Sequence, residues 1–252
     1  MAGLLVTALA FYIYSPYLTL TAATGGTPAS AGPATRVSAP AATGSAIPSS
    51  TPPPSATALA PDPDLPPGPG GQQPGIKLVA TVLRGGVFEV TETVRLAAPV
   101  SRLTLAPPDL RAAGRGLRSA HPVATDLVVR AGDRSVRLPS RTVQHPTTVT
   151  LRRPTDRFEV RYRLHGTVRL NQPSSAGRAL GAVGPLVSGL PPALPVAAFF
   201  EGEAVKNLRC AGLPVDQEAC FAGHRPHVRV NQDLPYAAAL VLVQLDLTRA
   251  DR

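Results

Sequence analysis

Few residues in this chain have types and spacings that bear on chemistry. Cys210 and Cys220 are its only cysteines, ten positions apart, and His224 and His227 follow them. The run is C-x9-C-x3-H-x2-H. A zinc site of that composition needs its cysteines about two to four residues apart. An even pair in an exported chain instead predicts a disulfide, whose loop closure is worth roughly 3 kcal/mol in the chain-entropy model. No metal is expected. Glu92 shares the alternating face of Phe88, Val90 and Val94, so its carboxylate is directed at a core. A buried carboxylate is costly unless it is partnered, and burial raises its pKa. Such a group serves as a general acid or a ligand contact, or it is held by an edge, a bulge or an Arg partner. The structural role is the expected one.

No nucleophile constellation is legible. Ser188 lies in Val187-Ser188-Gly189 without the first glycine of a G-x-S-x-G elbow. There is no H-E-x-x-H and no Gly-rich phosphate loop with Lys. No catalytic residue and no cofactor is assigned. Were the chain an enzyme with a non-local site, Glu92, Asp126 and His165 would be tested first. The arginines say more. Arg152, Arg161 and Arg163 share the outward parity of strands that can pair, and Arg130 and Arg137 are expected near them. Together they make a candidate anionic-ligand face, suited to lipid headgroups or anionic envelope polymers. The competing reading is a solvated face interleaved with Asp156 and Glu159.

These residues need a β framework, and the pattern supplies one. Ile76–Arg84 alternates with period two, Gly85-Gly86 signals a hairpin, and Val87–Leu96 returns as a second strand. Further strands are predicted at 102–106, 126–130, 135–138, 147–152 and 157–164. In the last of these Phe158, Val160, Tyr162 and Leu164 face inward. Residues 171–195 read as an irregular loop with one helical turn through Ala179, Leu180 and Val183, capped by Ser174/Ser175 and stopped by Pro185. Strands resume at 195–200 and 204–211. The apolar segment 236–247 is predicted as a central strand covered on both faces. The fold class is therefore all-β, a β-sandwich or partly open barrel over 76–248.

What precedes this domain is different in kind. Of 29 prolines, 14 lie in residues 1–75, which carry one arginine against two aspartates. Residues 76–252 hold 24 basic and 14 acidic side chains, a net +10, so the basic character of the chain, formally +9, belongs wholly to this part. Arg outnumbers Lys by 23 to 2, a bias of GC-rich coding that is given little functional weight. Residues 3–14 form an uncharged apolar run, continued more weakly to Leu20, with Tyr12, Tyr14 and Tyr17 at its distal end. Interfacial rings at the end of an apolar run suit a membrane anchor, and its length also suits a signal peptide. No Lys or Arg precedes it. Residues 24–75 contain too few large apolar side chains to offset chain entropy and are predicted to be a disordered Pro/Ala/Thr/Ser-rich spacer.

The absence of Trp and an aromatic content of 4 % argue against a stacking platform for carbohydrate or single-stranded nucleic acid. The expectation is a membrane-tethered extracytoplasmic envelope protein, a non-enzymatic binding or structural module. Its segments are a signal-anchor or signal peptide (1–23), a spacer (24–75) and a β domain (76–248). Its partners would be the membrane, through a single N-terminal helix, together with anionic envelope polymers, lipid headgroups or a membrane protein; nucleic acid is not expected. The alternatives are an envelope hydrolase or transferase, an accessory subunit of a membrane complex, and secretion after signal cleavage.

Overall fold

The computed structural model describes residues 65–171 and 177–247. The N-terminal apolar segment, the spacer as far as residue 64 and the Ser174/Ser175 pair lie outside the described residues. Among those residues the chain is mostly β-strand; it has no α-helix, and so none long and apolar enough to cross a membrane.

β1 (Gly75–Leu83) and β2 (Val87–Leu105) form an antiparallel hairpin. Its turn uses Gly85 and Gly86 at φ 75° and 69°, where a Cβ would be strained. β3 (Val123–Ala131) and β4 (Arg134–Ser135) make a second hairpin, followed by β5 (Thr147–His165) and β6 (Val168–Leu170). Then come β7 (Arg178–Val183), β8 (Val187–Ser188), β9 (Pro195–Glu201) and β10 (Val205–Cys210). The last four are β11 (Phe221–His224), β12 (His227–Val230), β13 (Leu234–Pro235) and β14 (Val241–Asp246).

The strands divide into two sheets. The larger has the order β11-β12-β9-β1-β2-β5-β3-β4, with β13 added to β9 and β8 added to β2. The smaller is β10-β14-β7-β6. Among the described residues only the β1/β9 ladder is parallel. One hydrophobic cluster draws on both sheets: Phe88, Val90 and Leu164 from the larger, Val205, Val243 and Leu245 from the smaller. Burying each such side chain stabilises by about 1.5–3 kcal/mol. The opposite face of the smaller sheet is covered at Ala182 and Leu242 by Leu110, Ala113 and Leu117. The predicted central strand is thus the shorter β14, which is flanked by β10 and β7 and is apolar on both faces as far as Val243.

β2 and β5 are each longer than the alternation suggested, because each fuses two predicted strands across a break in register. Pairing is regular from Phe88/Leu164 to Arg95/Arg157, then shifts around Val100 before resuming at Arg102/Thr150. The chain bends there. Thirteen residues of straight strand would separate Glu92 from Leu105 by about 40 Å. Yet Val187 pairs with Leu105 while its N–H reaches the Glu92 carboxylate at 3.3 Å. The distal half of β2 must therefore curl back over the proximal half, with Ala97, Ala98 and Pro99 exposed at the bend.

Two local expectations are corrected. The predicted helical turn at 179–183 is β7, paired with β14 on one side and β6 on the other. Tertiary pairing overrides the local cues, and Gly181 is needed because a Cβ there would stand 2.8 Å from Cζ of Phe88. The second concerns the end of the predicted spacer. Pro69, Gly70 and Gly71 are buried, and the buried Arg95 side chain donates from Nη1 to the Gly71 and Gln72 carbonyls at 3.0 and 2.7 Å. Residues 66–75 are thus tied to the sheet, and the domain begins before residue 76.

Candidate functional site

Glu92 is fully buried at the middle of β2. The diagonal neighbour across the β2/β5 ladder is Tyr162, whose hydroxyl donates to Glu92 Oε1 at 2.6 Å. The Leu186 N–H donates to the same oxygen at 2.6 Å, and the Val187 N–H donates to Oε2 at 3.3 Å. Tyr236 closes the group by donating from its hydroxyl to the Val187 carbonyl at 3.0 Å. Burial pushes the Glu92 carboxyl up to about 7, against the opposing pull of its three hydrogen-bond donors. Burial, then the neighbouring Glu92 charge, raises the Tyr162 phenol well above its ordinary value. The Tyr236 phenol is raised for the same two reasons in the same order.

This arrangement explains why a carboxylate is tolerated on a core face. Both oxygens accept hydrogen bonds from the chain itself, and one residue, Val187, is gripped through its N–H and its carbonyl. Glu92 therefore fastens the segment carrying β8 to the centre of the larger sheet. Glu92 and the inward parity of Tyr162 are legible in the sequence. Leu186, Val187 and Tyr236 are not, because backbone donors and residues nearly a hundred positions away leave no local signal.

The five predicted anion-binding arginines separate into two groups. Arg130, Arg161 and Arg163 lie on the outer face of the larger sheet, where cross-strand neighbours share a face. Arg161 pairs with Glu159 at 2.9 Å and Arg163 with Asp126 at 3.3 Å. Arg130 stands opposite Glu159 across the β3/β5 ladder, and Arg163 opposite Glu89. Arg137 and Arg152 are elsewhere, in a cleft of about 550 Å³ between the β3–β4 hairpin and the bend of β5. Arg134 and Arg153, which the sequence reading did not single out, line the same cleft. Its apolar lining includes Val136, Leu151 and Pro154, and its one acidic lining residue is Asp133. Among the described residues none of these four arginines is within ion-pair distance of a carboxylate.

The remaining candidates are dispersed. Cys210 and Cys220 are buried at disulfide distance with Cα atoms 5.9 Å apart. His224 and His227 face each other across the β11–β12 turn, and His227 Nδ1 lies 4.0 Å from Glu201 Oε1. No group of three or more His, Cys, Asp or Glu able to hold a metal occurs among the described residues. Asp126 pairs with Arg163 and His165 Nε2 lies 3.0 Å from the Thr125 hydroxyl, so the trio Glu92, Asp126 and His165 has three separate sets of partners. Ser188 donates to the Thr104 carbonyl at 3.3 Å.

No protein-family model matches the chain, and no curated protein matches it. Solved structures similar to it include an M1 zinc metallopeptidase from Deinococcus radiodurans, at 20 % identity and a TM-score of 0.35, over 69 % of this chain and 42 % of that one. Another is an aminopeptidase N family protein from Idiomarina loihiensis, at 16 % identity and a TM-score of 0.40, over 69 % of this chain and 30 % of that one. The chain spans less than half the length of either structure.

Proposed function

We propose that this chain is an extracytoplasmic envelope protein whose β domain, a sandwich of the two sheets, works by binding rather than by making or breaking bonds. In this reading the apolar segment 3–20 anchors it to the membrane, and the Pro-rich stretch holds the domain away from the surface. The observation that carries the binding role is the use of Glu92. The chain's best candidate for acid–base chemistry has both oxygens engaged by Tyr162, Leu186 and Val187 inside the fold. A charged surface available for a partner is the arginine cleft.

The test is made on full-length protein in its native host. The expected result is a membrane-bound, full-length species that co-extracts with a fixed partner or polymer in mild detergent. Its mass should rise on reduction of the Cys210–Cys220 bond. A shortened species in the secreted fraction would overturn the tether. The binding role would be overturned by hydrolytic turnover that is lost in Glu92→Gln protein of unchanged melting temperature.

A further inference from the structure

The arginine cleft has features that ordinary strand geometry does not produce. Between the pairs Val100/Thr155 and Arg102/Thr150, β2 advances two residues while β5 advances five. The surplus residues form a bulge in β5, and bulges re-aim side chains that regular alternation would send to opposite faces. Leu151 is buried, but Arg152, Arg153 and Pro154 are all exposed in succession. Both consecutive guanidinium groups thus line one cleft. The facing wall adds Arg134, in the short β4, and Arg137, just beyond it, with the half-buried Val136 between them. Four cations against the single Asp133 leave a local excess of three positive charges that no carboxylate among the described residues neutralises by pairing.

We propose that this cleft binds a phosphodiester-bearing polyanion, a chain or surface of phosphates separated by short aliphatic linkers. The proposal rests on the reading of the domain as a binding module and names its ligand class. Guanidinium groups take phosphate oxygens in planar, bidentate pairs, which lysine does not. A lone monoanion would offset only one of the three excess charges, whereas successive phosphates offset all of them. The apolar lining residues Val136, Leu151 and Pro154 suit aliphatic linkers and offer no partner to bulky polar bases. The volume, about 550 Å³, is in the range of a small-molecule site and holds a few such units.

Two sources share this chemistry, a soluble glycerol-phosphate polymer and the headgroups of phosphatidylglycerol, and one experiment separates them. The full chain is titrated with short glycerol-phosphate oligomers in one arm and with phosphatidylglycerol vesicles in the other, at two salt concentrations. Binding should weaken about tenfold or more on a fourfold rise in salt, as expected for about three phosphate contacts. Arg152→Gln/Arg153→Gln protein should lose about tenfold in affinity, while the charge-matched Arg161→Gln/Arg163→Gln protein should change less than about threefold. Binding to oligomers assigns a polymer, and binding to vesicles alone assigns a lipid surface; either supports the proposal. Equal losses in the two double variants would reduce it to net charge and overturn it. So would the absence of binding in both arms, or binding insensitive to salt. Retention of a co-extracted partner by the Arg152→Gln/Arg153→Gln protein would then show that the module reading survives the loss of this ligand assignment.

Discussion

The outer face of the larger sheet and the cleft beside it are both rich in arginine, yet they are electrostatically opposite. On the face, Arg130, Arg161 and Arg163 sit in regular ladders whose cross-strand neighbours include Glu159 and Glu89, and Asp126 pairs with Arg163. In the cleft, Arg134, Arg137, Arg152 and Arg153 come from a tight hairpin and a bulge, where no ladder neighbour supplies a carboxylate. On this face ladder neighbours neutralise charge, and in the cleft the local failure of pairing concentrates it. A count of arginines along the sequence would weigh the two regions equally.

Only the cleft rests on the bend of β5, and the Glu92 group holds the segment carrying β8 against the distal half of β2. Glu92→Ala should have the largest effect. It leaves the Tyr162 hydroxyl and two backbone N–H groups without their acceptor, at about 3–5 kcal/mol in denaturant unfolding. It should also weaken anion binding in the cleft while leaving the exposed ion pairs of the face little affected. Glu92 also sets a pH dependence. Its folded pKa of about 7 lies above the ordinary 4.5, so the folded state holds the proton more tightly than the unfolded one. The stabilisation is complete below about pH 4.5 and is lost as pH rises to about 7, by about 3 kcal/mol. Unfolding of wild type against pH should show this decline, and Glu92→Gln should abolish it.

Opening the Cys210–Cys220 loop should cost about 3 kcal/mol, measured on the Cys210→Ala/Cys220→Ala variant. Because these residues lie at the end of β10 and just before β11, away from both arginine regions, anion binding per folded molecule should not change. The smallest effects sharpen the comparison through their sign. Arg163→Gln removes an exposed pair with Asp126 and should destabilise by about 0.5 kcal/mol or less. Arg153→Gln relieves repulsion within the cleft and should stabilise by a similar amount at low salt. Melting temperatures of the two variants, moving in opposite directions and converging as salt rises, would establish the distinction; movement in the same direction would break it.

Much of this framework was legible beforehand. Period-two alternation located β1, the proximal half of β2 and the distal half of β5, and Gly85-Gly86 located their hairpin. The spacing of Cys210 and Cys220 pointed to their pairing, and parity placed both Glu92 and Tyr162 on a core face. The breaks were not legible. Ala97-Ala98-Pro99 and Arg152-Arg153-Pro154 read as strand ends, although the chain continues through them as bends. Gly181 read as part of an irregular turn, although it is the point where β7 makes room for Phe88. Residues 66–74 lack the apolar content of a strand and are tied to the sheet through the buried Arg95 side chain.

The sequence by itself determined the alternating faces, the turns and the charge of the C-terminal part, because these depend on neighbours within a few residues. Only the tertiary structure decided which charges are paired and which are left open. Glu92 finds its partners in Leu186 and Val187, and Arg152 shares a cleft with Arg134, through strand register and bulges. Those are settled by long-range pairing across two sheets, where a shift of one residue exchanges the buried face for the exposed one.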